Sequence, residues 1–443
     1  MISREEITYA ERCLESTLEK GAQQARITLN KSTMDLVGTL NGEVDKVSHC
    51  LDRSLSINLF VDGRFGSFST NRFDLRELDA FLDRAVGMTR MLQEDPCRAL
   101  PDPARTARDA QEGRELGLYD GRYEAVTASS RVERALSASV YAEGRARGLV
   151  SEEGEYSDNA FDTLVIDSQG TRCRHTETSF EYGVEMTVED TDGHKYTGYW
   201  WDASSREDGL DLAGCGPKAL RRALAQMHPQ EHPGGRTHLV VDTEVASRVV
   251  TPLLNALSGY SIQQNNSFLR DSLGQMVFPE GLTILDDCRT PGQTGCRLFD
   301  SEGVATRVHP IIEQGVVKEY FINTYMAGKL RMAPTIEDAT RPRIPGWPKP
   351  GLGRDELLAL CGEGIFVTGF NGGNSNSSTG DFSYGIEGFA FRDGKLLHPV
   401  HEMVMTGNFI TLWKHLVAIA DDARPCMSKL IPTLAFSNVD FSA

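Results

Sequence analysis

Basic runs, long apolar stretches and paired cysteine motifs are all missing from this chain of 443 residues. Its 46 Lys and Arg are outnumbered by 63 Asp and Glu, for a formal charge of -17. No block of basic side chains exists to track a phosphate backbone, which disfavours nucleic acid as a partner. No segment approaches the ~20 consecutive apolar residues of a membrane-crossing helix. The opening MISREEITYAERCLESTLEKG sets Ile7, Ala10, Leu14 and Leu18 at helical spacing among charges and lacks a secretory apolar core, so a cytoplasmic protein is expected. Nine cysteines, an odd number scattered from Cys13 to Cys426 without a CxxC, suit reduced thiols. Cys288 and Cys296, the closest pair, read as structural.

What is present is patterned for an α+β protein. The length exceeds what one hydrophobic core usually serves, so two domains are expected. After the first helix, the alternating segments RITL, MDLVGTL, VDKVSHCL and SLSINLF are punctuated by Asn41-Gly42 and Asp62-Gly63, which signal hairpins. A second helix is expected around Leu78, Leu82, Ala85 and Met88, then a Pro-rich connection from Asp95, a helix over roughly 123–145, strands at 161–167 and 180–189, and a helix over 211–227. HPQEHPGGRTH, from His228, interrupts all periodicity. The expected division is 1–227, helices with an antiparallel sheet, and 228–443, strand-rich with a few helices beginning near Glu244, over 320–330, 355–361 and 409–419. RPRIPGWPKPGLG, at 341–353, reads as an exposed excursion or lid.

The densest polar composition lies at 368–408, TGFNGGNSNSSTGDFSYGIEGFAFRDGKLLHPVHEMVMTGN. Glycine permits positive φ and close backbone approach, while Asn and Ser side chains bond nearby peptide groups. Such a loop, entered and left by strands, can line a cleft or sit at a subunit interface. Asn371, Gly372, Gly373, Asn374, Asn376, Ser377 and Asp381 are the candidate substrate-binding or interface residues. The order of its parts, the Gly/Asn turn, Thr379–Ser383, Glu387–Phe389, Asp393-Gly394, Pro399-Val400 and Gly407-Asn408, closely resembles the C-terminal signature of the TldD/PmbA family of metallopeptidase-related proteins. SLSINLFVDGRFGSFST at 54–70, VIDSQGT at 165–171, SIQQNNSFLRDSLG at 261–274 and LFDSEGVATRVHPIIEQGVVKEYFINTYMAGKL at 298–330 extend the resemblance over nearly the whole chain.

The resemblance implies, for the catalytic branch, an HExxxH helix in which two His hold zinc and the Glu takes a proton from the metal-bound water. In this chain the matching helix reads EVASRVVTPLLNALSGYSIQQ, with Thr251-Pro252 marking a kink or restart. Asn255, Ala256 and Tyr260 fall on the His, Glu and His positions. A methyl is no base, a neutral amide oxygen is a poor zinc ligand, and a phenol ionises only near pH ~10. No catalytic or metal-ligating residue is therefore assigned to this chain. The PmbA, or TldE, branch is the one it resembles, which implies zinc on a TldD-type HExxxH partner subunit, an unfolded peptide as substrate, and a homodimer or heterodimer.

Other signals are weaker. His228, Glu231 and His232 fit HxxEH, but Pro229, Pro233 and Gly234-Gly235 deny it a helix, and a solvated loop is the better reading. His398, His401 and Glu402 lie in a strand-like stretch where residues three apart face opposite ways. GCGPKA at 214–219 and GLGRDE at 351–356 read as helix entries rather than phosphate loops. No GxSxG nucleophile turn is present. The expected function is a non-catalytic subunit of a cytosolic zinc protease complex. The alternatives are an autonomous metallopeptidase homodimer and a peptide-binding homodimer that never cuts.

Overall fold

The structure, a computed structural model, describes residues 1–443 apart from the side chain of Ala146. It opens with α1 (Arg4–Glu19), whose start is fixed by a reciprocal cap: Ser3 Oγ accepts the Glu6 N–H and the Glu6 carboxylate accepts the Ser3 N–H. Strands β1 (Gln24–Leu40), β2 (Glu43–Val61) and β3 (Arg64–Thr70) follow, then α2 (Leu75–Thr89), α3 (Ala128–Ser137) and α4 (Tyr141–Gly144). Next come β4 (Leu149–Asp167), β5 (Arg172–Glu189), β6 (Lys195–Ser204) and α5 (Leu212–Ala225). The strands form one antiparallel sheet in the order β3-β2-β1-β4-β5-β6. Asn41-Gly42 and Asp62-Gly63 take positive φ at both residues of each pair, as tight hairpins require.

Two expectations are corrected here. The four short opening segments are two strands of 17 and 19 residues, because the polar stretches between the apolar ones pair across the hairpin instead of turning. The single helix expected over 123–145 is broken. Thr127 caps α3 afresh, and the Glu152 carboxylate accepts the Val140 N–H where the chain restarts as α4.

One face of the sheet carries both helical layers. Toward one end, α1 and α2 cover Ile27, Leu29, Leu55, Ile57 and Leu164; toward the other, α3 and α5 cover Val37, Tyr156, Tyr182, Val184 and Met186. Each fully buried apolar side chain of this size contributes about 1.5–3 kcal/mol. α1 is also anchored electrostatically. Burial pushes the Glu6 carboxyl up, but the Ser3 N–H and the cations Lys31 and Arg53 outweigh it and hold the group down at about 2. A carboxyl depressed in the fold adds stability that is present above its ordinary value and is lost as pH falls through the folded one. Glu6→Gln is therefore expected to cost about 1–2 kcal/mol at pH 7. Thermal unfolding should show that gap close between pH 4.5 and about 2.

The second half contains β7 (Gly235–Val241), α6 (Ser247–Ala256), α7 (Gly259–Gln263), β8 (Ile284–Asp286), β9 (His309–Glu313) and β10 (Val316–Val317). It continues with α8 (Thr324–Leu330), β11 (Pro342–Arg343), α9 (Arg354–Cys361), β12 (Glu363–Phe370) and β13 (Asn374–Ser375). It ends with β14 (Asp381–Arg392), β15 (Lys395–Asn408), α10 (Phe409–Lys414), β16 (Leu416–Ile419) and β17 (Leu434–Ser442). Strand pairing runs β12-β7-β17-β15-β14 and returns from β14 to β12, so these strands close into a ring. α6 packs Val249, Leu253 and Leu254 into the same core as Leu239, Val241, Ile365, Tyr384 and Trp413, and Trp413 Nε1–H donates to the Val249 carbonyl. The whole is an α+β fold, strand-rich after Gly235. Among the described residues, no helix is long and apolar enough to cross a membrane.

The 341–353 segment is not the exposed excursion expected from its prolines. Arg341 is 1 % exposed, its guanidinium donating to the Thr294 carbonyl and to Gln293, while Ile344 and Trp347 pair through their backbones with Leu430 and Ile419. Exposure is confined to Arg343 and a tip at 348–351. The helix expected over 409–419 stops at Lys414, since residues 416–419 pair with β17 instead.

Candidate cleft on the degenerate motif helix

The segment that resembles the HExxxH helix is not one helix. It begins at Ser247 rather than near Glu244, carries Pro252 inside α6, ends at Ala256 and restarts at Gly259 as α7. Tertiary pairing causes the break. The Phe321 N–H donates to the Leu257 carbonyl and the Gly259 N–H to the Phe321 carbonyl. A Cβ on Gly259 would lie 2.8 Å from Ile322 Cδ1 and 2.9 Å from that same Phe321 oxygen, so only glycine allows the approach.

Consequently the three motif positions diverge. Asn255 is exposed and lines a cleft, Ala256 is 2 % exposed in the core, and Tyr260 is 62 % exposed on α7 outside that cleft. The motif register would set all three on one helix; the structure keeps Asn255 and Ala256 on α6 and moves Tyr260 to α7. An amide, a methyl and a phenol in these positions do not fit a zinc site, so no catalytic step is derived through a metal on this chain.

The cleft measures ≈ 750 Å³. One wall is the approach to α6 and its exposed face, with Glu244, Arg248, Thr251 and Asn255. The opposite wall comes from the end of β12, the Asn/Gly loop and β14, with Phe370, Gly372, Gly373, Asn374, Ser375 and Tyr384. Gly373 is required where it stands: φ is 94°, and a Cβ would fall 2.0 Å from the Ser383 carbonyl oxygen. Of the residues singled out in the sequence, Gly372, Gly373 and Asn374 line the cleft, and the others are turned to holding the loop. The Asn371 N–H donates to the Gly385 carbonyl, and Asn376 Oδ1 accepts the N–H groups of Ser378 and Thr379. The Ser377 carbonyl accepts the Phe268 N–H. Asp381 accepts from Asn408 Nδ2 and the Thr379 hydroxyl, and these bonds hold its carboxyl below the ordinary value.

Sequence reasoning missed Glu244, Arg248, Phe370 and Tyr384. Glu244 is the one carboxylate among the described residues lining the cleft, and no His or Cys accompanies it. It is already engaged, accepting from Arg424 at 2.7 Å and from Trp201 Nε1 at 3.2 Å. Arg424 lies against the Trp200 and Trp201 rings, 4.2 and 5.0 Å from their centroids, and so ties the cleft rim to β6. The Arg248 guanidinium sits 4.6 Å from the Tyr384 ring centroid, and Phe370 meets that ring edge-on at 5.6 Å. The cleft thus offers an aromatic wall, a cation and the main chain of a glycine turn. Those groups can stack on a ligand's apolar parts and hydrogen-bond its polar ones, and the one carboxylate, Glu244, is held by Arg424 and Trp201.

The remaining sequence candidates do not form the metal sites their own motifs suggest. Residues 228–232 form no helix, and the β15 stretch holding His401 and Glu402 is bulged, with Glu402 at φ 55°. Cys288 and Cys296 are buried free thiols. Gly353 does open α9, whereas GCGPKA lies inside α5, which Asp211 caps.

Residues 25–89, 122–227 and 234–443 match, respectively, the sequence models of PmbA/TldA metallopeptidase domain 1, central domain and C-terminal domain. The chain belongs to the PmbA/TldD family. A solved structure from Bacteroides thetaiotaomicron, described as a modulator of DNA gyrase, is similar at 36 % identity with a TM-score of 0.94, covering 100 % of both chains. TldE from Thermococcus kodakarensis shares the fold, with a TM-score of 0.83 at 18 % identity over 98 % of this chain and 100 % of that one. Metalloprotease PmbA of Escherichia coli O157:H7 is 26 % identical over 422 residues, 93 % of this chain and 91 % of that protein. In this PmbA/TldD chain the cleft is built on α6, which turns Arg248, Thr251 and Asn255 toward it.

Proposed function

We propose that this chain is the metal-free, TldE-type member of a cytoplasmic peptidase complex, and that the zinc belongs to a TldD-type HExxxH partner subunit. One observation carries the reading: the positions that would supply ligand, base and ligand hold Asn255 in the cleft, Ala256 in the core and Tyr260 on a separate helix. The role left to the cleft is to hold an unfolded peptide in extended form. Exposed main-chain groups supply affinity with little demand on sequence, and residues 371–375 of the Asn/Gly turn are exposed.

The test is co-expression with an HExxxH homologue, followed by cleavage assays on an unfolded peptide with each chain alone and with the co-purified pair. The expected result is cleavage at the buffer rate by this chain alone, and turnover by the pair that exceeds the sum of the separate subunits. Chelator-sensitive proteolysis by the isolated chain would favour an autonomous homodimer instead. Peptide affinity without turnover, even with the partner added, would leave a binding homodimer as the function.

A further inference from the structure

The β5–β6 turn, EDTDGHKY at 189–196, gathers three potential metal ligands, and His228, the first residue of the segment joining the two sheets, approaches one of them. His194 Nδ1 lies 3.4 Å from Asp190 Oδ2, and His228 Nδ1 lies 3.8 Å from the same oxygen. Ligand atoms of Asp190, Asp192 and His194 all fall within 4.8 Å of one another. The Asp190 side chain is 2 % exposed, whereas those of His194 and His228 are 71 % and 68 % exposed, so the two imidazoles lie on the solvent side of a covered carboxylate.

That carboxylate is held in place. Asp190 Oδ1 accepts the N–H groups of Asp192 and His194, each at 2.9 Å, and Oδ2 accepts the Tyr196 hydroxyl at 3.0 Å. Oriented ligands of this kind are what metal sites have when their outer hydrogen bonds are in place. Zinc bonds to imidazole nitrogen and carboxylate oxygen are about 2.0–2.2 Å long, which sets the edges of a tetrahedral cage at roughly 3.3–3.5 Å. The two imidazole-to-carboxylate separations are at or within a few tenths of an ångström of that edge. Two imidazoles with carboxylates form a donor set for a borderline ion such as zinc rather than for calcium or magnesium.

We propose that Asp190, Asp192, His194 and His228 form a zinc-binding site that fastens the inter-sheet segment beginning at His228 to the N-terminal sheet. The site shares no residue with the cleft and does not depend on the function proposed for it. It gives His228 a partner other than Glu231 and His232, with which it forms the HxxEH sequence. Zinc bound there closes the chain between β5 and the start of the connection, adding a constraint that favours the folded state as any native-state ligand does.

Titration of the metal-free full chain with zinc by calorimetry tests this, with cobalt as a second probe for the visible absorption of a tetrahedral site. One equivalent is expected to bind. His194→Ala and His228→Ala should each weaken it by at least about 100-fold, and Tyr196→Phe, which removes the hydroxyl bonded to the Asp190 carboxylate, by about 10-fold. Both histidines are exposed, so the variants should keep the wild-type circular dichroism spectrum. Zinc should also slow proteolysis within residues 228–234 in the wild type and not in His228→Ala. Absence of a saturable equivalent, its persistence in both histidine variants, or its loss in a His232→Ala, His398→Ala control instead overturns the proposal.

Discussion

Rebuilding the family's zinc motif in this chain is expected to fail at its middle residue, with Ala256→Glu lowering stability by about 3–5 kcal/mol. Ala256 is 2 % exposed and packs in the core shared by α6, β7 and β14. A carboxylate introduced there loses its water and finds no counter-charge. The nearest cation on the same helix is Arg248, eight residues back and so about 12 Å along the axis. The group would be driven to its neutral form, so the penalty should shrink as pH falls. Asn255→His, by contrast, sits on the exposed rim and should change stability by less than about 0.5 kcal/mol. Urea unfolding of the two single variants checks the contrast. A triple variant, Asn255→His, Ala256→Glu, Tyr260→His, that unfolds like the wild type and binds zinc at these side chains would show that this helix had kept the family's geometry.

A loss of similar size, about 3–5 kcal/mol, is expected from Arg131→Ala in the N-terminal sheet. Arg131, on α3, reaches Asp158 through Nε at 2.6 Å and a terminal nitrogen at 2.8 Å, and reaches Asp35 at 3.1 Å. Asp35 and Asp158 are direct cross-strand partners on β1 and β4, and the Asp158 side chain is fully buried. Two carboxylates placed opposite each other repel, and the guanidinium is what makes the pair tolerable. Without it the two carboxylates face each other with only His49 beside Asp35, and the pairing of the strands is weakened. Replacing Asp158 by Asn in the Arg131→Ala background should recover part of the loss. If the double variant is less stable than the single one, repulsion between the carboxylates is not the cause.

These two sites illustrate what was legible in the chain and what was not. Hairpins at Asn41-Gly42 and Asp62-Gly63 were readable because those residues select positive φ locally. The break between Ala256 and Gly259 was not, because it is made by Phe321, more than sixty residues later, donating to and accepting from the helix end. The cleft was half readable. Its Gly372-Gly373-Asn374 turn stood out by composition, but Asn371, Asn376, Ser377 and Asp381 have the same composition and lie outside the cleft, bonded within or beside the loop. Arg248 and Tyr384 gave no signal, since a surface arginine and a strand tyrosine are ordinary until the fold brings one over the other.

The side-chain chemistry at 255, 256 and 260 belongs to the sequence alone. Whatever the fold, an amide, a methyl and a neutral phenol cannot bind zinc and deprotonate its water as two imidazoles and a carboxylate do. The same holds for the acidic balance and for the hairpin turns, because charge and local φ preference are fixed by residue type. Tertiary structure decided which of those three residues meets the cleft, which loop residues face it, that the 341 segment is buried, and that His228 stands beside Asp190. Those outcomes depend on contacts between segments tens to hundreds of residues apart. No local preference encodes such contacts, and they exist only once the core has closed.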